Sequence, residues 1–391
     1  MLTVVFAGDR VGLVDSIIIS TGRRASMASP RYNQISLEDT NWYHVVSRCV
    51  RRAYLCGSDQ STGQSYEHRR DWVERRVKFL ATVFTIDIAA YAIMHNHYHL
   101  VVRVDDERVW DLSNEEVISR WTALYIGPIL VQRYMSDLRK DMSAGELLQV
   151  DKLAAVYRER LCDLSWFMKN LNHYIACRAN AEDQVRGHFW ESRYKCQALL
   201  DEQAVLAAMA YTDLNPIRAG IADELEASEY TSVNQRIAEL KNTVFQADKG
   251  KCPGRSSSEE VKAGGPLLGG EKVIELNAER QAPLLPFNPI EVCRTSIPFA
   301  FEDYLELLEV ASRAVHPGKR GVVSETTPRL LQKYNIGLPA FIEHSNRFIE
   351  CFGNHAGNPQ IMTNLAAKRN ARYLRGISKS RSLFGCLSKV A

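Results

Sequence analysis

Ile86-Asp87-Ile88-Ala89-Ala90-Tyr91-Ala92-Ile93 leads through Met94-His95-Asn96 into His97-Tyr98-His99-Leu100-Val101-Val102-Arg103-Val104. The apolar runs Ile86 to Ile93 and Leu100 to Val104 read as strands on either side of a short polar stretch. Residues two apart on a strand project from the same face. His97 and His99 therefore point the same way, and neutral imidazoles side by side can hold a divalent metal. His95 has the same parity. Three histidines share a face if the strand runs straight through, and His97 and His99 alone if the chain turns at His95-Asn96. A partly buried polar stripe accounts for the same residues without any metal.

A second landmark lies far downstream, in Ala210-Tyr211-Thr212-Asp213-Leu214-Asn215-Pro216. Tyr211 and Asn215 are four apart and share a face on a helix. A neutral tyrosine hydroxyl, with a pKa near ~10, is a poor nucleophile. It becomes useful when the phosphate it attacks is held in line and polarised, and a divalent metal does both. Two imidazoles are too few for Mg²⁺ or Mn²⁺, which favour oxygen-rich, near-octahedral coordination. The amide oxygen of Asn215 would complete a protein ligand set of His97, His99 and Asn215. The competing reading makes Tyr211 a packed aromatic beside Leu206, Ala207 and Ala210, and Asn215-Pro216 an ordinary helix end.

Met-x-Asn-His-x-His-Leu followed by Tyr-x-x-x-Asn-Pro resembles the single-tyrosine HUH transposases, the small insertion-sequence transposases and their relatives associated with repetitive extragenic palindromes. Trp42-Tyr43-His44-Val45-Val46-Ser47-Arg48 and Gly187-His188-Phe189-Trp190-Glu191-Ser192-Arg193-Tyr194 extend the likeness, which spans roughly residues 27 to 225. The resemblance implies a ferredoxin-like, split β-α-β sheet with the His97/His99 pair on a central strand. It implies Tyr211 as the catalytic tyrosine and Asn215 as the third polar ligand, with His95 at the variable position of the motif. It also implies the reaction: cleavage and rejoining of single-stranded DNA, at hairpin or palindromic ends, through a 5′-phosphotyrosine. This chain departs from the compact members in its long stretch between the histidine strand and the tyrosine helix, and in its extra C-terminal region. The first leaves open whether the tyrosine helix acts in its own subunit or across a homodimer.

The 391 residues suit two or three domains and an ample core. Hydrophobic residues are 46% and charged residues 24%, as in a soluble globular protein. A formal net charge of +3 leaves any nucleic-acid surface to local clustering. Nine cysteines without a C-x-x-C pair argue for a reduced, cytoplasmic protein, and against a disulfide framework or zinc ribbon; the resemblance to DNA transposases implies association with the nucleoid. No apolar run spans a bilayer, so no membrane partner is expected. No Walker-type loop is present, which agrees with a reaction that stores bond energy covalently.

Thr40 to Val50, rich in β-formers, reads as a strand ending in Arg48, Arg51 and Arg52, either a solvated end or phosphate contacts. Helices are expected over Tyr66 to Phe84, Val109 to Lys140, Val150 to Asn180 and Asp201 to about Asn215, with Asp201 as N-cap of the last. A short strand is expected over Tyr194 to Leu200. Trp190, Arg193, Lys195 and Arg218 are candidate DNA contacts by stacking and phosphate pairing, or else core and rim.

The pattern gives an α+β catalytic domain over 27–240 with an antiparallel sheet and flanking helices. Residues 1–26 form an appendage and 241–295 a flexible, Gly- and Ser-rich linker. Residues 296–391 form a small α-helical domain. From Ile361 to the end this region carries seven Lys or Arg and no Asp or Glu. A DNA-binding module and a helical bundle with a solvated tail fit it equally. Two other functions share these features: a rolling-circle type nicking protein, and a domesticated DNA-binding protein without transposition.

Overall fold

The computed structural model describes residues 31, 34–50, 54–59, 62–248, 281–290, 295–316 and 327–384. Residues 1–26, Arg51 and Arg52, most of the expected linker and the last residues of the chain lie outside that set.

Five strands form one mixed sheet: β1 (Trp42–Arg48), β2 (Ile86–Ile93), β3 (His97–Val104), β4 (Lys195–Leu199) and β5 (His355–Ala356), in the order β2-β3-β1-β4-β5. The first four pair antiparallel. The expectation of a wholly antiparallel sheet fails at one edge, where β5 pairs parallel with β4. Two residues of the C-terminal region thereby cover an edge of β4 that would otherwise present unpaired backbone groups. The helix α1 (Arg69–Val83) carries the chain from β1 to β2 and leaves a gap that β3 fills.

The hairpin between β2 and β3 turns at His95-Asn96, closed by Met94 N–H donating to His97 O at 2.8 Å. The carbonyls of Asn96 and His95 accept from Cys49 and Cys56 N–H, both at 2.9 Å. His95 therefore leaves the strand, and the histidine pair is His97 and His99. The His95 ring lies against Gly57, whose φ of +92° and lack of a Cβ permit the approach.

Alternation divides the sheet into two faces. Tyr43, Val45, Tyr98, Leu100 and Val102 join one core; Trp42, Val101 and Leu199 join the other. On β2 the register shifts between Ile88 and Ala90, so Ile86, Ile88, Tyr91 and Ile93 all reach the first core. An extra residue in one strand reverses the parity in this way.

The first core is covered by α1 and by helices from the long segment between β3 and β4. These are α2 (Arg108–Asp111), α3 (Asn114–Thr122), α4 (Ile129–Tyr134), α5 (Ala144–Leu161) and α6 (Leu164–Glu182). They correct the two long helices expected from periodicity. Ser113 and Ser143 build capping boxes with Glu116 and Glu146, and Asp163 accepts from Ser165 N–H. Each cap satisfies N–H groups that a new helix start leaves free, so the chain breaks there.

The second face carries α7 (Glu202–Asp213), α8 (Asn215–Arg218) and α9 (Ser232–Asp248). Asp201 caps α7 as expected, accepting from Ala204 N–H at 2.8 Å. The C-terminal region adds α10 (Phe301–Val315), α11 (Arg329–Lys333), α12 (Leu338–Ser345), α13 (Phe348–Cys351), α14 (Pro359–Lys368) and α15 (Ile377–Phe384). In place of a core of their own, Tyr304, Leu307, Phe341 and Phe348 share one buried cluster with Val101, Leu199 and Leu206. The alanines of α7 present little bulk, so helices can close over it. Within the expected linker, Leu284 and Leu285 are buried, and Leu285 N–H donates to Ile88 O at 2.8 Å. Among the described residues no helix is long and apolar enough to cross a membrane.

Candidate active site

The site forms where β3 begins. His97 lies opposite Arg48 of β1 and His99 opposite Val46, and Val46 lies opposite Lys195 of β4. Side chains in such cross-strand rows share a face. Arg48 and Lys195 thus flank the histidines on the second face, and both are exposed. Across from them, α7 brings Tyr211. Ring centroids are 4.9 Å apart for His97 and His99, and 5.3 Å apart for His99 and Tyr211. In this chain the tyrosine helix packs on the sheet that carries the histidines.

Hydrogen bonds fix which nitrogen of each histidine carries the proton. The Gln197 amide nitrogen donates to the carbonyls of Phe352 and Gly353, at 3.3 and 2.9 Å. Its oxygen must therefore face His44 Nδ1, at 3.0 Å, and accept from it. That leaves His44 Nε2 as an acceptor, 3.1 Å from His99 Nδ1. His99 donates from Nδ1, and its Nε2 keeps the lone pair. This Nε2 is buried and has no hydrogen-bond partner. At His97, Nδ1 lies 2.6 Å from Asn96 Oδ1, an acceptor, so here too Nε2 is the unprotonated nitrogen.

Burial keeps the rings neutral. It drives the His97 pKa down to about 4, helped by Arg48, His95 and Lys195. It drives His99 well below the ordinary imidazole range, helped by His97, His44 and Arg218. Burial also lowers His44 to about 4, against the Gln197 hydrogen bond. A neutral imidazole with one nitrogen pinned by an outer partner and the other bare is the form that binds metal. Among the described residues no group of three His, Cys, Asp or Glu is poised for a metal. A metal here would need a ligand of another kind; Asn215, four residues after Tyr211, carries an amide oxygen.

Asn215 is buried at the start of α8. Its oxygen accepts from Arg218 Nη1 at 3.3 Å, and its Nδ2 is buried without a partner. A half-turn of the amide exchanges the two atoms. Arg218 is half-buried beside Tyr211. Its guanidinium lies 4.5 Å from the Tyr211 ring centroid, and it donates to Tyr211 O at 3.1 Å and to Asn346 Oδ1 at 3.2 Å. Burial raises the Tyr211 phenol pKa, and the Arg218 charge opposes the rise. Burial also brings Arg218 itself down to about 10, so it stays a cation at neutral pH. Phe348 closes the other side of the tyrosine, 6.1 Å between centroids.

The remaining candidates divide. Arg193 is exposed on the loop before β4. Trp190 is partly buried at the rim of the first core. Its Nε1 donates to Asn172 O at 2.8 Å and its ring stands edge-on to Tyr98 and Phe189. Arg51 and Arg52 lie outside the described residues. Sequence reading missed His44 and Gln197. The signal for His44 was its parity with Val46 and Arg48 on β1; for Gln197, a polar residue inside an apolar strand.

Compared with family models, with curated proteins and with solved structures, the chain finds no match. Any functional reading rests on the residues and geometry above.

Proposed function

We propose that the chain is a metal-dependent transposase that cleaves and rejoins single-stranded DNA, with Tyr211 as nucleophile and hairpin or palindromic ends as substrate. The observation that carries this reading is the bare, buried Nε2 of His99 beside Tyr211. A buried polar atom without a partner is costly unless something completes it. The strand order, with β1 and β2 on either side of β3 and the histidines on that inner strand, supports a ferredoxin-like sheet of the HUH type.

His97 and His99 would hold Mg²⁺ or Mn²⁺ through their Nε2 atoms, with the Asn215 amide oxygen as third protein ligand. When bound, the ion supplies polarisation of the scissile phosphate. The Tyr211 oxygen attacks phosphorus and forms the P–O bond of a 5′-phosphotyrosine. The 3′-oxygen of the upstream strand leaves, taking a proton from water, and the phenol proton passes to solvent. Arg218 favours the developing phenolate over the neutral phenol. Arg48 and Lys195, exposed beside the histidines, would pair with backbone phosphates of the strand. In the second half a 3′-hydroxyl attacks the phosphotyrosine, restores the diester and releases Tyr211. Two exchanges of equal bond type need no nucleotide triphosphate.

The test is strand cleavage of a hairpin oligonucleotide from the flanks of the gene, with Mn²⁺, reading the ends of the products. A free 3′-hydroxyl on the upstream fragment, absent with His97→Ala or His99→Ala, is expected. Cleavage that persists in both variants, or that leaves a 3′-phosphate, would refute the assignment.

A further inference from the structure

Away from the histidine cleft, the turn between α14 and α15 walls a groove of about 600 Å³. Its lining includes Arg372, Tyr373, Arg375 and Arg381, and no acidic side chain. Tyr373 is 71% exposed, unusual for so large a ring. Arg372 and Arg381 are exposed and make no hydrogen bond or ion pair among the described residues. Of the other basic residues nearby, Lys368 and Arg369 pair with Asp39, tying α14 to the start of the sheet. Ala367 and Gly376 keep part of the wall free of bulk. Gly376, at φ +101°, presses against Cys351 O and Phe352 Cα, so the groove backs onto the loop whose carbonyls hold Gln197.

We infer that this groove is a second nucleic-acid site, taking the phosphate backbone of a single strand and stacking an unpaired base on Tyr373. Unpaired guanidiniums spaced around a groove suit successive phosphates, and an exposed ring beside them suits a base whose face is free. A duplex keeps its base faces stacked and offers Tyr373 nothing. An acidic peptide would use the arginines but not the ring. The site does not depend on chemistry at Tyr211.

The experiment is fluorescence anisotropy with the full chain and a labelled single-stranded 20-mer in EDTA, so that no cleavage step enters. The double variant Arg372→Glu, Arg381→Glu leaves Arg375 and the packed side of the groove intact. It should weaken binding by roughly tenfold or more and flatten the log K against log salt slope by about 1 to 2. Tyr373→Ala should weaken single-strand binding, and Tyr373→Phe should restore it. Unchanged affinity and slope in the charge variant would overturn the inference. So would a charge variant that loses binding to phosphatidylglycerol vesicles while still holding the oligonucleotide. Because binding is read without metal, failure at Tyr211 and failure here are separate results.

Discussion

His44 Nε2 and His99 Nδ1 meet at 3.1 Å, and that bond decides which nitrogen of His99 faces the cleft. The carbonyls of Phe352 and Gly353 orient Gln197, Gln197 orients His44, and His44 orients His99. A C-terminal loop thus sets the state of a histidine on β3. His44→Ala frees His99 to adopt the other tautomer or to rotate. Mn²⁺ affinity, measured by calorimetry on the full chain, should fall by about 10- to 100-fold, with far-UV circular dichroism unchanged. An affinity within twofold of the parent would mean that His44 orients nothing.

Arg218→Gln keeps hydrogen-bonding capacity and removes the charge beside Tyr211. The phenol, already raised by burial, should rise further once the Arg218 charge no longer opposes the rise. The sign is that of an acid neutral when protonated: its contribution to stability is present below the unfolded pKa and is lost as pH rises through the folded one. Ultraviolet difference titration against Tyr211→Phe isolates this single phenol. A downward shift in the variant would show that the cation does not favour the phenolate.

Asp213 sits fully buried at the junction of three helices, accepting from Ser232 Oγ, Val233 N–H and Tyr304 OH. Burial raises its pKa to about 6 despite those bonds. Between about pH 4 and pH 6 the folded protein keeps a proton that the unfolded chain has released. Stability contributed by this group therefore falls as pH rises through that window, by roughly 3 kcal/mol in all. Asp213→Asn should remove that component. Urea unfolding at pH 4, 5, 6 and 7 gives the difference between parent and variant, and parallel curves would rule the account out.

Gly376 holds a positive φ against the loop at Cys351 and Phe352, where a Cβ would lie 3.0 Å from backbone atoms. Gly376→Ala should lower stability by at least about 1 kcal/mol. It should also weaken Mn²⁺ binding, since the strained loop carries the carbonyls that hold Gln197. Thermal unfolding and calorimetry read the two effects. A stable variant with parental Mn²⁺ affinity would disconnect the loop from the histidines.

What the sequence made legible were features set by local periodicity. Strand parity paired His97 with His99, and the Asp201 cap follows from one side chain meeting the nearest free N–H groups; Tyr211 and Asn215, expected on one helix face, fall on α7 and α8. The α+β class followed from the succession of elements. His44 and Gln197 escaped because their roles depend on partners 55 and 153 residues away in the chain. The breaks in the long helices turned on serines whose capping boxes compete with an unbroken apolar rhythm. β5, two residues long, has no period to read. The C-terminal helices looked autonomous because an amphipathic pattern says that a face is buried without saying against what.

The most direct measurement is the covalent state of Tyr211 after incubation with Mn²⁺ and 3′-labelled hairpin DNA from the flanks of the gene. The account predicts a denaturation-resistant protein–DNA adduct that needs metal, maps to Tyr211 by peptide mass spectrometry and disappears in Tyr211→Phe. An adduct that forms on another residue, or hairpin cleavage that survives Tyr211→Phe, would contradict it.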